Sequence, residues 1–225
     1  MIGDRRVLAI VPARAGSQRL AGKNVRSLAG RPMVAWTLEA ARGSDLIDHL
    51  VVSTDDPAVA RVAAEMGWPP AFMRPGDLAG ASASVIDAIE HALVQTGGAW
   101  DYVVLLQPTS PLRTSEDIDQ AIRLCDESGA PAVIGVSPLP KAPAFYGRVT
   151  AGGGYEPGAG DIEHTVVVNG AVYVGRPDVL MRERTFQSAG ARAHLMPPER
   201  GWDVDTLEEF AVCEALLRVR QQEPA

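Results

Sequence analysis

The residues best able to do chemistry lie in Ile10 to Asn24, IVPARAGSQRLAGKN. An apolar run, Val7 to Val11, reads as a buried strand that breaks at Pro12 into a loop carrying Arg14, Gly16, Arg19, Gly22 and Lys23. Glycine lets the backbone approach a ligand closely, main-chain N–H groups donate to an anion, and cations offset its charge, so such a loop can wrap phosphate. A basic surface loop after a first strand fits the same residues. The spacing is not that of a Walker A motif. Five residues, not four, separate Gly16 from Gly22, and Asn24 follows Lys23 where that motif needs a magnesium-binding Ser or Thr. A looser phosphate loop remains, with Arg14 and Lys23 neutralising a triphosphate and N–H groups near Ala15 to Ser17 adding donors.

Asp203-Val204-Asp205 is the second candidate. In extended backbone, residues i and i+2 share a face. Two carboxylates so placed can hold magnesium, which keeps waters and substrate phosphates as its other ligands. Asp205-Thr206 also reads as the cap of a last helix, with Glu208 and Glu209 near its positive end, and the two roles can be divided, Asp205 to the cap and Asp203 to the metal. The third candidate is Gln107 to Arg113, QPTSPLR, where a strand-end Gln offers both donor and acceptor to a base edge or sugar hydroxyl. Arg113 fits either a phosphate contact or a solvated helix start. Ser53 to Asp56 and Arg74 are ambiguous alone. The four histidines are scattered and form no metal-binding spacing.

Positioning these loops requires a repeating strand–helix framework. Apolar segments at Val7–Val11, Leu46–Val52, Ala71–Met73, Val103–Leu106 and Ala132–Val136 read as strands. Between them run helices from Met33 to near Gly43, from Ala58 to Met66 (Asp56 as N-cap, Pro57 first), from Ser82 or Ser84 to Val94, and from Ser115 to about Glu127. The order predicts an α/β chain with a mostly parallel sheet and helices on both faces. The loops at 12–24, 53–56 and 107–113 all follow strands, and ligands of such sheets bind at the carboxyl ends. They should therefore face one crevice. From Ser137 to about residue 165 the chain is rich in Pro and Gly and reads as an excursion from the sheet. Asn169-Gly170 reads as a hairpin turn or as a site loop between two sheet segments. A strand at Arg192–Met196 and a helix from Thr206 to about Arg220 complete a single domain over 1–225.

Composition limits the partners. The net charge of −7 disfavours nucleic acid, which needs a concentrated basic face. The two cysteines, Cys125 and Cys213, show no metal or redox spacing, and no segment reads as a signal or a membrane span, so a reduced, cytoplasmic chain is expected.

Taken together, IVPARAGSQRLAGKN, LAGRPMVAWTLEAA, VVSTDD, RP-x-x-LA followed by AS, LLQPTSPLRTSEDID, NGAVYV and WDVDTLEEF resemble, in order, the blocks of the CMP-sialic acid synthetase family (acylneuraminate cytidylyltransferases) over nearly the whole chain. The resemblance implies a Rossmann-like nucleotidyltransferase fold with a small dimerisation excursion, and a homodimer. It implies transfer of CMP from CTP to the anomeric hydroxyl of an acidic 2-keto sugar, with Mg2+ as cofactor. Carried onto this sequence, Ala13, Arg14, Ser17, Lys23, Asn24, Arg74, Ser82 and Gln107 would bind the nucleotide, with Arg14 and Lys23 also steadying the leaving pyrophosphate. Gln107, Asn169 and Tyr173 would meet the sugar, and Asp203 and Asp205 the metal. Two features depart from the pattern. The Arg-x-Gln stretch usual before the NGA block is replaced by Asp161-Ile162-Glu163-His164-Thr165, and the excursion is short and glycine-rich. Kdo-type cytidylyltransferases share the loop logic, and a nucleotide-binding protein without sugar transfer is the non-catalytic alternative.

Overall fold

A computed structural model describes residues 2–16, 19–80, 83–142, 145–157 and 164–222. Ser17, Ser82 and residues 161–163 lie outside that set. Strand β1 (Val7–Pro12) is the axis of a six-stranded sheet. It pairs in parallel with β4 (His49–Ser53) on one side and β5 (Tyr102–Leu105) on the other. Its five apolar residues are all buried, as a central parallel strand covered on both faces requires. Two short strands, β2 (Ser27–Leu28) and β3 (Arg31–Pro32), form a separate antiparallel ribbon before α1 (Met33–Arg42).

The far half of the sheet holds β6 (Ala132–Pro138) and β10 (Arg192–Leu195), again parallel to each other. Between the halves lies β9 (Val166–Gly175), antiparallel to both β5 and β6. The sheet is therefore mostly parallel with one reversed strand, an α/β arrangement as expected. Helices α1, α2 (Pro57–Glu65) and α4 (Ser115–Ser128) pack one face around Val7, Ala9 and Val11. The opposite face, around Leu8 and Ile10, is covered by α3 (Val85–Thr96) and α5 (Pro177–Glu183). Helix α6 (Leu207–Gln222) closes a third cluster against Leu28, Met33 and Leu112. Among the described residues, no helix is long and apolar enough to cross a membrane.

Local chemistry explains several boundaries. Asp56 caps α2 through the Ala58 N–H, with Pro57 in the first turn. Thr114, one residue before the expected Ser115, caps α4 in a reciprocal box with Asp117.

Three expectations are corrected. Ala71–Met73 forms no strand, because the segment is drawn along the loop after β4 by an Arg74 N–H bond to the Thr54 carbonyl at 2.7 Å. Strand β4 begins at His49 rather than Leu46. Asn169-Gly170 is neither a hairpin turn nor a site loop, since both residues lie inside β9, whose flanks are paired to the same neighbour, β6. The pair sits where the β6 register shifts between Ile134 and Val136, and the Asn169 Oδ1 accepts the Ala171 N–H at 3.0 Å. This local bond lets Gly170 take φ 72° without ending the strand. The excursion holds a small exposed hairpin of β7 (Gly147–Val149) and β8 (Tyr155–Pro157).

Candidate active site

A cleft of about 620 Å³ opens where β1 and β5 end. The loop after β1 contributes Arg14, Arg19, Lys23 and Asn24, and Arg74 enters from the segment after α2. Gln107 to Thr109 follow β5, Ala83 to Val85 lead into the N-terminus of α3, and Asp203 and Asp205 form the far wall. Four cations thus face two carboxylates in a chain that is acidic overall. The α3 N-terminus adds a positive dipole end.

The loop at 53–56 serves as scaffold and does not line the cleft. Ala13 is 1% exposed, its N–H donating to the Ser53 carbonyl (3.0 Å) and its carbonyl accepting the Thr54 hydroxyl (2.5 Å). Asp55 accepts the Ala15 N–H at 2.9 Å. Ser53 also holds Arg74, whose guanidinium donates to its Oγ (3.0 Å) and its carbonyl. Burial lowers the Arg74 pKa, with Asp55 opposing and Arg14 adding to the effect. Arg14 itself donates to the Gly80 carbonyl at 2.6 Å, and its own carbonyl accepts the Asn24 amide at 3.1 Å. The last bond folds the phosphate-loop candidate back on itself.

On the opposite wall, Val204 is buried and its N–H donates to the Thr109 carbonyl at 2.7 Å, joining the two acidic residues to the QPTSPLR loop. Asp205 is not the cap of α6. Thr206 and Glu209 form that box: Glu209 accepts the Asp205 and Thr206 N–H groups, both at 2.8 Å, and its own N–H donates to the Thr206 hydroxyl at 3.2 Å. The Asp205 carboxylate instead meets Lys23 (3.0 Å) and Arg19 (2.6 Å), while Lys23 also donates to the Val204 carbonyl at 2.8 Å. Burial raises the pKa of Asp203, against an opposing hydrogen bond from Thr109, and its buried Oδ1 has no protein partner. An unpaired carboxylate oxygen beside a second carboxylate suits a hard divalent cation. Among the described residues no group of three or more His, Cys, Asp or Glu gathers to hold a metal, so two carboxylates would need phosphate oxygens and water to complete the shell.

Arg113 is neither solvated nor within the cleft. It is 3% exposed and forks onto the Ala171 carbonyl (2.6 Å), the Thr37 hydroxyl (2.8 Å) and the Gln107 carbonyl. Asn169 and Tyr173 do not line the cleft either. Asn169 is 3% exposed and donates its amide to the Ser137 hydroxyl, and Tyr173 packs against Phe186, burial raising its pKa with the Asp203 charge adding to the rise. The residue of the NGA block that reaches the site is Gly170: a Cβ there would lie 3.1 Å from Gln107 Oε1, 3.3 Å from Ser110 Oγ and 3.8 Å from Asp203 Cγ. Gly170→Ala should lower stability by about 1–2 kcal/mol through its left-handed backbone and displace Gln107, checked by a denaturation midpoint alongside kcat/KM. Sequence reading missed the roles of Arg19, Thr109 and the α3 start. The charge of Arg19 was visible, but its partner lies 186 residues away.

The chain matches known proteins along its length. A family model described as cytidylyltransferase matches residues 8–151. The CMP-N,N'-diacetyllegionaminic acid synthase of Legionella pneumophila is 34% identical, over 96% of this chain and 98% of that protein. The N-acylneuraminate cytidylyltransferase of Streptococcus agalactiae is 30% identical over 90% of this chain, which spans 51% of that longer relative. The pseudaminic acid cytidylyltransferase of Campylobacter jejuni is 25% identical over 96% of the chain and 97% of its own. A solved CMP:2-keto-3-deoxy-manno-octonic acid synthetase complexed with CTP shares the fold, with TM-score 0.73 and 21% identity over 96% of this chain and 99% of that one. With four cations and two carboxylates gathered at one strand-end cleft, the chain belongs to the cytidylyltransferase family of nucleotidyltransferases, on its CMP-sialic acid synthetase-like branch.

Proposed function

We propose that the protein transfers CMP from CTP to the anomeric hydroxyl of an acidic 2-keto sugar of the nonulosonic class, releasing pyrophosphate. The observation that carries this reading is the cleft itself, where Arg14, Arg19, Lys23 and Arg74 face Asp203 and Asp205 across a space the size of a small ligand site. The sugar class rests on the relatives' substrates, since the full-length matches are named for legionaminic and pseudaminic acids.

In this reading the sugar hydroxyl attacks the α-phosphorus of CTP, the P–O bond to pyrophosphate breaks, and the hydroxyl proton leaves to solvent. The protein contributes mainly position and field. Arg14 and Lys23 offset charge developing on pyrophosphate, and the Gln107 side chain offers a donor and an acceptor to the sugar side. Arg74, held by Ser53, fixes one cation at the cleft wall. Asp203 and Asp205 would hold magnesium, which when bound would offset phosphate charge and lower the pKa of the attacking hydroxyl.

The exposed apolar residues Phe145, Val149 and Tyr155 of the excursion, with Val166 to Val168 at the start of β9, support a homodimer formed there. Two free, buried cysteines suit a reducing cytoplasm.

The test is pyrophosphate release from CTP and Mg2+ across a panel of nonulosonic acids and Kdo, with ATP as control. Turnover with a nonulosonic acid is expected. Turnover with Kdo alone would move the enzyme to that class. Measurable CTP binding with silence toward every sugar would make the chain a nucleotide-binding protein without transferase activity.

A further inference from the structure

Both oxygens of Asp205 are held by cations. Lys23 Nζ stands 3.0 Å from Oδ1 and Arg19 Nη2 stands 2.6 Å from Oδ2. Lys23 is largely buried, its side chain 12% exposed, whereas Arg19 is 69% exposed yet lies over this carboxylate. Asp203 lacks such partners, and its Oδ1 is buried without one. Two ligands want these groups for opposite reasons. A triphosphate needs the basic side chains, and a divalent cation needs the carboxylate. In the free protein, acid and base neutralise each other.

We propose that Arg19 and Lys23 are resident counter-cations of Asp205, so that nucleotide and divalent cation enter by exchanging partners. The triphosphate draws the two basic side chains off the carboxylate, and the freed carboxylate accepts the cation. This inference rests on the CTP and metal reading given above. It makes Arg19 a positioning residue that sets the coupling between the two ligands. Such coupling is reciprocal, because whatever raises one ligand's affinity through the other must act equally in return.

Two equilibrium measurements test it, neither requiring turnover. The first is Mn2+ binding to nucleotide-free protein, followed by the free-ion EPR signal. Arg19→Gln removes an exposed side chain and should leave the fold intact. It should tighten Mn2+ binding roughly threefold to tenfold, the scale of a partly exposed ion pair within a small network. The second is CTP binding in EDTA by calorimetry. Asp205→Asn should tighten it by a similar factor, because Lys23 and Arg19 are released to the triphosphate. Asp203→Asn removes a carboxylate that no basic group bonds, so it should tighten CTP binding only through the field of the cleft, by a smaller factor than Asp205→Asn. An R19Q protein with wild-type Mn2+ affinity overturns the exchange, as does a D205N protein with wild-type CTP affinity in EDTA. In either case CTP binding by the wild-type protein leaves the nucleotide reading standing. If the wild type binds no CTP, that reading fails and this one with it.

Discussion

Lys23→Ala should lower kcat/KM for CTP by about 10²–10³-fold, the scale of losing one preorganised charge at a developing anion. The side chain is held in place before any ligand arrives. It donates to the Val204 carbonyl at 2.8 Å and to Asp205 at 3.0 Å, so it already stands in the cleft, and exchanging Asp205 for a phosphate can leave the Val204 bond in place. Truncation also removes the bond from this lysine across the cleft to the Val204 carbonyl, which should cost stability by about 1 kcal/mol. The two effects separate cleanly: a denaturation midpoint reports the second, and kcat/KM reports both. Lys23→Arg should recover part of the loss, since charge returns but not the compact ammonium geometry. Near-normal turnover by Lys23→Ala would remove the loop from the chemistry.

The largest stability effect should come from Arg113→Met, a loss of about 2–4 kcal/mol. The guanidinium serves three acceptors, the Ala171 and Gln107 carbonyls and the Thr37 hydroxyl, and replacement strands them in the core. Part of that loss is offset, because burial of the cation is itself costly: it holds the Arg113 pKa down to about 9, with Asp117 and Asp203 only partly restoring it. Arg113→Lys should not rescue the protein, since one ammonium cannot reproduce the planar fork. Because one of the three acceptors is the Gln107 carbonyl, the loop that presents Gln107 should loosen as well. Chemical denaturation measures the first effect, and a rise in KM for the sugar larger than the fall in kcat is the expected sign of the second.

How far the sequence foretold this molecule depends on whether a signal was local. Asp56-Pro57 and the capping chemistry around Ser84 were readable because each acts within one helical turn. The meeting of the loops after β1 and β5 was readable because it follows from parallel topology, whereas the 53–56 loop, expected to face the same crevice, lies behind it as scaffold for Ala13 and Arg74. Asn169-Gly170 misled because its local preference for a turn is real. What overrides it is β6, which pairs with β9 on both sides of the bend. Arg113 misled for a similar reason: an arginine at a helix start is ordinarily solvated, and its three partners come from α1, β9 and the loop after β5. The cap of α6 turned on one carboxylate. Glu209 satisfies the helix end, and Asp205 turns to cations from the far N-terminal loop.

The reversed strand β9 has a consequence for how the chain is made. It is the ninth strand in sequence yet occupies the middle of the sheet, between β5 and β6. A nascent chain that ends before Val166 can join β4, β1 and β5, but β6 has no strand to pair it to β5. Both facing edges stay open, with the main-chain donors and acceptors of Val103, Val104, Val133 and Ile134 unpaired along them. Open edges of this kind invite pairing between molecules. Synthesis from the ribosome therefore leaves a vulnerable interval, and the arrival of β9 ends it by welding two half-sheets and bringing Gly170 up behind Gln107 in one step.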